Sequence, residues 1–239
     1  MINKNFLREA SLLQLSEEIF STVINDGRKL NTVENLLTEK IKEAETINFI
    51  LADGLGYENL MSLETSLKDN IKKIINTTFP SSTNVALTTF AMMSHPIDHG
   101  IIGYYMYDKS NFGLINALNW NSENELLLNN DHFKNQESIW KKFKSFNTHV
   151  SNFQPENLVG SSLSNFLYEK SSTVPYKTIE NLIEMLSEAS FLENRFNFIY
   201  YPNVDIAGHI FGVYSAEWEL EIKKFEEAVE RISQASNKK

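Results

Sequence analysis

The run Ile47-Asn48-Phe49-Ile50-Leu51-Ala52-Asp53 limits the possible folds more than any other stretch of the chain. It is almost continuously apolar, ends on an acid and is followed by Gly54-Leu55-Gly56. A strand with one wet face alternates apolar and polar residues. An unbroken run suits a strand buried on both faces of a parallel sheet, its carboxyl end opening into a loop. Arg195-Phe196-Asn197-Phe198-Ile199-Tyr200-Tyr201 repeats the pattern and stops at Pro202, and Thr148-His149-Val150-Ser151-Asn152-Phe153 is a weaker third case. Helical spacing of apolar residues marks Ser11–Phe20, 136–146, 176–190 and 215–234, and Asn31-Thr32-Val33-Glu34 offers a capped helix start. Strands alternating with helices predict an α/β fold with a mainly parallel sheet.

Composition narrows the function classes. Hydrophobic residues make up 42% of the 239, enough for a large core and too many for a disordered chain. With 31 acidic against 22 basic side chains the net charge is −9, which argues against nonspecific nucleic-acid binding. No apolar run reaches the roughly 18 residues that span a bilayer, and no signal-type segment follows Met1. Without cysteine there is no disulfide and no thiolate ligand or nucleophile. The expectation is a cytoplasmic globular protein with no nucleic-acid or membrane partner. Residues 1–45 read as a helical N-terminal extension, and about 104–135, rich in Asn, Tyr and Trp without a sustained period, as a small cap-like insertion. The last residues, from Gln234 to Lys239, read as a frayed tail.

In open α/β sheets, sites gather beyond the carboxyl ends of the strands. Asp53 ends one strand, beside glycines that let the backbone turn tightly against a ligand. Asp205 and His209 follow another, in Tyr201-Pro202-Asn203-Val204-Asp205-Ile206-Ala207-Gly208-His209. A carboxylate and an imidazole four residues apart suit one zinc-like ion on a helical face. Each pattern also has an ordinary structural reading, as a turn or as a surface pair. In Phe79-Pro80-Ser81-Ser82-Thr83-Asn84 a hydroxyl cluster precedes a helix-like run. The plain reading is N-capping. The functional one is a hydroxyl at the positive end of a helix, where phosphate and a developing oxyanion are stabilised.

Taken in order, these segments resemble the type I phosphodiesterase and nucleotide pyrophosphatase family of the alkaline phosphatase superfamily. The matching stretches are Leu51-Ala52-Asp53-Gly54-Leu55-Gly56, Phe79-Pro80-Ser81-Ser82-Thr83, Pro96-Ile97-Asp98-His99-Gly100-Ile101-Ile102-Gly103-Tyr104 and Tyr201–His209, with Gly212 and Ser215 after them. The resemblance implies a single three-layer α/β sandwich over residues 1–239 with an alkaline-phosphatase-like core. It implies a metal-dependent phosphodiesterase or nucleotide pyrophosphatase acting through a covalent phospho-threonine on a small phosphodiester or nucleotide. Two divalent ions are implied, zinc in the first place and manganese in the second. Asp205 and His209 would bind one ion, and Asp53 and Thr83 the other. Thr83 is chosen over Thr78 as nucleophile because it stands thirteen residues before Pro96 and sixteen before His99, the family's spacing. Since Ala86 stands where family members often have an asparagine, donors to the phosphoryl oxygens would have to come from backbone N–H groups, from Asn84 as the candidate substrate-binding side chain, or from elsewhere. His99 belongs to a structural turn after the nucleophile helix, and His95, His132 and His149 match no motif.

The family continues into a strand ending in Asp-His-Gly and then to a further histidine, which complete the two metal sites. This sequence ends near where that strand begins, and Asp131-His132 does not replace it. The competing expectations are therefore a catalytically inactive binding or interaction protein, or a fragment of a longer enzyme.

Overall fold

The computed structural model describes residues 10–25, 35–108, 113–118, 136–186 and 195–236. The helix start expected at Asn31–Glu34, the Asp131-His132 pair and the end of the tail from Asn237 lie outside them. In chain order the strands are β1 (Ile47–Ala52), β2 (Tyr105–Asp108), β3 (Gly113–Asn116), β4 (Val150–Pro155), β5 (Ser172–Tyr176) and β6 (Phe196–Tyr201). The α-helices used below are α1 (Leu12–Ile24), α2 (Glu39–Lys42), α3 (Tyr57–Met61), α4 (Thr83–Met92), α5 (Pro96–His99) and α6 (Ile139–Ser145). They continue with α7 (Ser162–Leu167), α8 (Ile179–Leu186), α9 (Asn203–Phe211) and α10 (Ala216–Ser236). The chain forms two compact units. One holds Met1–Ala44, Ile75–Thr148 and Leu158–Ser171, and the other holds Glu45–Ile74, His149–Asn157 and Ser172–Lys239.

The second unit contains the sheet. Its four strands are all parallel, in the order β1-β6-β4-β5. This is the α/β fold with a parallel sheet that the apolar runs predicted. β6 lies inside the sheet, and all six of its residues are buried. β1 departs from the expectation of a strand buried on both faces: it stands at the sheet margin, and after Ile47 its residues are only half-buried. A marginal strand has a neighbour on one side only, so an apolar run is compatible with partial exposure.

α8 and α10 cover one sheet face because their apolar residues recur with helical period. Ile179, Leu182, Ile183 and Leu186 form one stripe, and Trp218, Ile222, Phe225, Val229 and Ile232 form the other. Leu182, Ile183 and Leu186 pack with Phe153, Tyr176, Ile199, Ala228 and Ile232. A second cluster joins Tyr201 of β6 to Val204 and Ala207 of α9 and to Trp218, Ile222 and Phe225 of α10. Each large apolar side chain so buried contributes about 1.5–3 kcal/mol. The clusters therefore fix α9, which leaves the carboxyl end of β6, against α10.

The first unit is mainly helical. α1, from the N-terminal extension, packs on α4, and the Ser16 hydroxyl donates to the Phe90 carbonyl at their buried contact. Phe20, Phe90, Trp140, Phe143 and Tyr168 build an aromatic core, with ring centroids of successive partners 5.2–6.2 Å apart. The buried carboxylate of Glu18 accepts from Gln14 Nε2 and from the backbone N–H groups of Leu36 and Leu37. The described part of the expected insertion is the antiparallel hairpin β2–β3, with Tyr107 opposite Leu114.

Candidate active site

Two of the implied ligands meet at the carboxyl ends of β1 and β6. Asp53 follows β1 directly, and its backbone N–H extends the ladder to the Tyr201 carbonyl at 2.9 Å. Its side chain is held at both oxygens: Oδ1 accepts from the Gly54 N–H at 3.0 Å and Oδ2 from the Tyr200 hydroxyl at 2.7 Å. Gly54 has φ +74°, and a Cβ there would stand 2.6 Å from Asp205 Cα and 2.8 Å from Asp205 Cβ. Only glycine lets the Asp53 loop lie against the α9 turn this closely.

Asp205 stands in the first turn of α9, where the helix dipole favours a carboxylate, and His209 stands in the last. The four-residue spacing puts both on one face, with His209 Nε2 3.4 Å from Asp205 Oδ2. The Asp205 carboxylate is about two-thirds buried, while the imidazole is 80% exposed. Burial raises the Asp205 carboxyl above its ordinary range, the Asp53 charge raises it further, and His209 opposes both. Two carboxylates that repel each other beside an imidazole are an arrangement a cation would stabilise.

Glu221 of α10 fixes the root of α9. Its Oε1 accepts from the Tyr201 hydroxyl at 2.7 Å and from Asn203 Nδ2 at 3.0 Å, and Oε2 accepts from Lys224 Nζ at 2.9 Å. Burial opposes the Glu221 charge, yet the bonds from Lys224, Tyr201 and Asn203 outweigh it and hold the carboxyl below its usual range. The Tyr201 phenol is pushed far up, first by burial and then by its bond to Glu221.

Thr83 and Asn84 belong to the first unit. Thr83 is the first residue of α4. Ser82, at the N-cap, places no side-chain bond on the helix start; its hydroxyl donates to Asn84 Oδ1 at 2.9 Å. Asn84 is fully buried and its Nδ2 donates to the Gly103 carbonyl at 2.8 Å. Thr78, the other threonine considered, donates its hydroxyl to the Pro80 carbonyl at 2.8 Å. His99 is fully buried, its Nδ1 accepting from the Ile101 N–H at 3.1 Å. That bond assigns the ring proton to Nε2, which donates to Thr89 Oγ1 at 2.9 Å, so His99 stitches the turn after α4 to the helix itself.

The donors Asp53, Asp205 and His209 are oxygen and nitrogen ligands, which suit zinc or manganese in kind. Among the described residues no group of three or more His, Asp or Glu side chains gathers to hold an ion. The Asp205–His209 pair fits part of one coordination sphere and Asp53 part of another, where a catalytic zinc usually has three protein ligands. The structure places these three sequence candidates at the carboxyl ends of β1 and β6, beside Tyr200 and Glu221, which carry no motif of their own. Among the described residues no helix is long and apolar enough to cross a membrane.

The family profile described as type I phosphodiesterase / nucleotide pyrophosphatase matches residues 49–239. No curated protein matches the chain significantly. Among solved structures, murine ectonucleotide pyrophosphatase/phosphodiesterase 5, as an inactive variant in complex with AMP, superposes with a TM-score of 0.59 at 14% identity, over 80% of this chain and 52% of that one. Its human counterpart gives a TM-score of 0.54 at 16% identity, over 79% of this chain and 51% of that one. Phosphonoacetate hydrolase from Sinorhizobium meliloti, in complex with phosphonoformate, gives 0.52 at 15% identity, over 80% of this chain and 53% of that one. These likenesses establish a shared α/β fold. The chain spans about half the length of the solved structures it matches.

Proposed function

Since the chain belongs to the type I phosphodiesterase/nucleotide pyrophosphatase family, we propose that it is a metal-dependent hydrolase of phosphodiesters or nucleotide pyrophosphates with Thr83 as its nucleophile. The observation that carries the reading is the close packing of Gly54 on Asp205, which brings the Asp53 loop against the turn bearing Asp205 and His209. The AMP bound by the murine phosphodiesterase and the phosphonate bound by the bacterial hydrolase agree with a small phosphorus-bearing substrate.

In this proposal Asp205 and His209 would hold one divalent ion, and Asp53 with Thr83 a second. When bound, such ions supply Lewis acidity toward phosphoryl oxygens and lower the pKa of a hydroxyl or a water. Thr83 Oγ loses its proton and forms a bond to phosphorus while the bond to the leaving-group oxygen breaks, and that oxygen leaves as the alcohol or phosphate. Water then attacks the phospho-threonine, the Thr83 O–P bond breaks, and the hydroxyl regains a proton. Standing at the first position of α4, Thr83 has the positive helix end beside the developing charge. Asn84 is given the task of fixing that turn, because its burial and its bonds to Ser82 and Gly103 leave it poorly placed to touch substrate.

The test is turnover of bis-p-nitrophenyl phosphate with zinc or manganese supplied, compared with Thr83→Ala. Thr83→Ala is expected to fall to background while still taking up metal. Equal rates in the two proteins would remove Thr83 from the mechanism. A second reading, a nucleotide-binding protein without turnover, is favoured by the short donor set among the described residues. It predicts AMP binding by the unaltered chain with no hydrolysis of any phosphodiester.

A further inference from the structure

We infer that Tyr200 is a positioning residue for Asp53: its hydroxyl sets the direction of the carboxylate that the proposed function assigns to a divalent ion. The inference rests on that reading of Asp53 and adds to it the group that makes the ligand rigid. Asp53 lies one residue beyond a marginal strand, on a loop whose next residue has φ +74°. A carboxylate in such a place samples several rotamers unless something holds it.

The parallel register supplies the hold. Leu51 of β1 is paired with Tyr200 of β6, and side chains two residues apart on a strand share a face. The phenol therefore projects on the same side as Asp53 and donates to its Oδ2 at 2.7 Å, a normal O–H···O distance. The hydroxyl donates and the carboxylate oxygen accepts, so the bond fixes the direction in which Asp53 presents its carboxylate. Tyr200 is itself fixed. Its side chain is buried in the wall of the sheet, and its backbone carbonyl accepts from the Tyr176 hydroxyl of β5 at 2.7 Å. The Tyr176 bond ends on the backbone of β6, whereas the bond to Asp53 comes from the Tyr200 phenol.

This arrangement separates a positioning role from a packing role. Tyr176→Phe removes a hydroxyl that bonds the β6 backbone and Tyr200→Phe one that bonds Asp53, so only the second bond ends on the ligand. Zinc(II) titrated into the full chain, in competition with a chromophoric chelator, reads the difference. Loss of an outer-shell partner of a metal ligand weakens affinity by about 10–100-fold. Tyr200→Phe is expected to weaken, by that factor, the binding event that Asp53→Asn abolishes, while Tyr176→Phe leaves it unchanged. If Asp53→Asn loses the event and Tyr200→Phe keeps full affinity, Tyr200 has no positioning role and the metal reading of Asp53 stands. If Tyr176→Phe and Tyr200→Phe weaken binding equally, the effect belongs to strand packing and the inference is overturned. Zinc binding that is absent, or indifferent to Asp53→Asn, removes the ligand and the inference together.

Discussion

Phe49 and Phe198 face each other across β1 and β6, in register, with ring centroids 5.9 Å apart. Their surroundings differ: Phe198 is fully buried in a strand with neighbours on both sides, and Phe49 is half-buried on a strand with one. The same contrast appears where the two strands end. β6 passes directly into α9, whose root is clamped by Glu221, so Asp205 is presented by a helix. β1 passes into a glycine turn, so Asp53 depends on hydrogen bonds from Tyr200 and Gly54. A carboxylate at the end of an interior strand inherits its rigidity from the core. A carboxylate at the end of a marginal strand must receive it from hydrogen bonds.

The largest expected effect comes from the phenylalanine pair. Phe198→Ala should lose about 3–5 kcal/mol of stability, as for other buried aromatics, and Phe49→Ala only about 1–2 kcal/mol. Urea unfolding of the two variants measures this, and equal losses would show that β1 is as enclosed as β6. Next is Gly54→Ala. Any alanine at positive φ costs about 1–2 kcal/mol, and here the added Cβ also meets Asp205 backbone. Gly160 has φ +82° with nothing within 4 Å of an added Cβ, so Gly160→Ala carries the backbone cost alone. Gly54→Ala should therefore be the more destabilised of the two by thermal unfolding, and equality would mean that the two loops are free to separate.

The smallest effect concerns Glu221 and acid. Its folded carboxyl lies below its ordinary value of 4.5, so it stabilises the fold above that value, and this contribution is lost as pH falls through the lower folded pKa. Glu221→Gln should be less stable than the unaltered protein at neutral pH by under about 1 kcal/mol, Lys224 being half-exposed. The two should converge below pH 4.5. A constant gap down to acid would assign the loss to packing.

Much of the sheet unit was legible because its rules are local. The apolar runs gave β1, β4 and β6, and the helical periods gave α8 and α10. β5 was not expected. It is short, contains Pro175 and lies partly exposed at the other sheet margin, and those features weaken a strand signal. The positions of Asp53, Asp205 and His209 were legible because each candidate sits at a fixed offset from a strand end and a glycine. The role of Tyr200 was not, since it depends on a register between strands whose residues lie 147 positions apart. Asn84 was expected at the substrate, but nothing in its sequence context announces the carbonyl of Gly103, nineteen residues on, that takes up its amide.

The interleaving of the two units has a consequence for how this chain matures. Its path passes from one to the other after Ala44, Ile74, Thr148, Asn157 and Ser171. Neither unit is a contiguous stretch, so a nascent chain emerging from the ribosome has made all four strands of the sheet only once Tyr201 is out. Until then β1 waits without the neighbour it pairs with, its apolar residues open to chaperones or to other chains. Synthesis paused before Phe196 should therefore leave the sheet unit unfinished and aggregation-prone even when every segment of the first unit has been made.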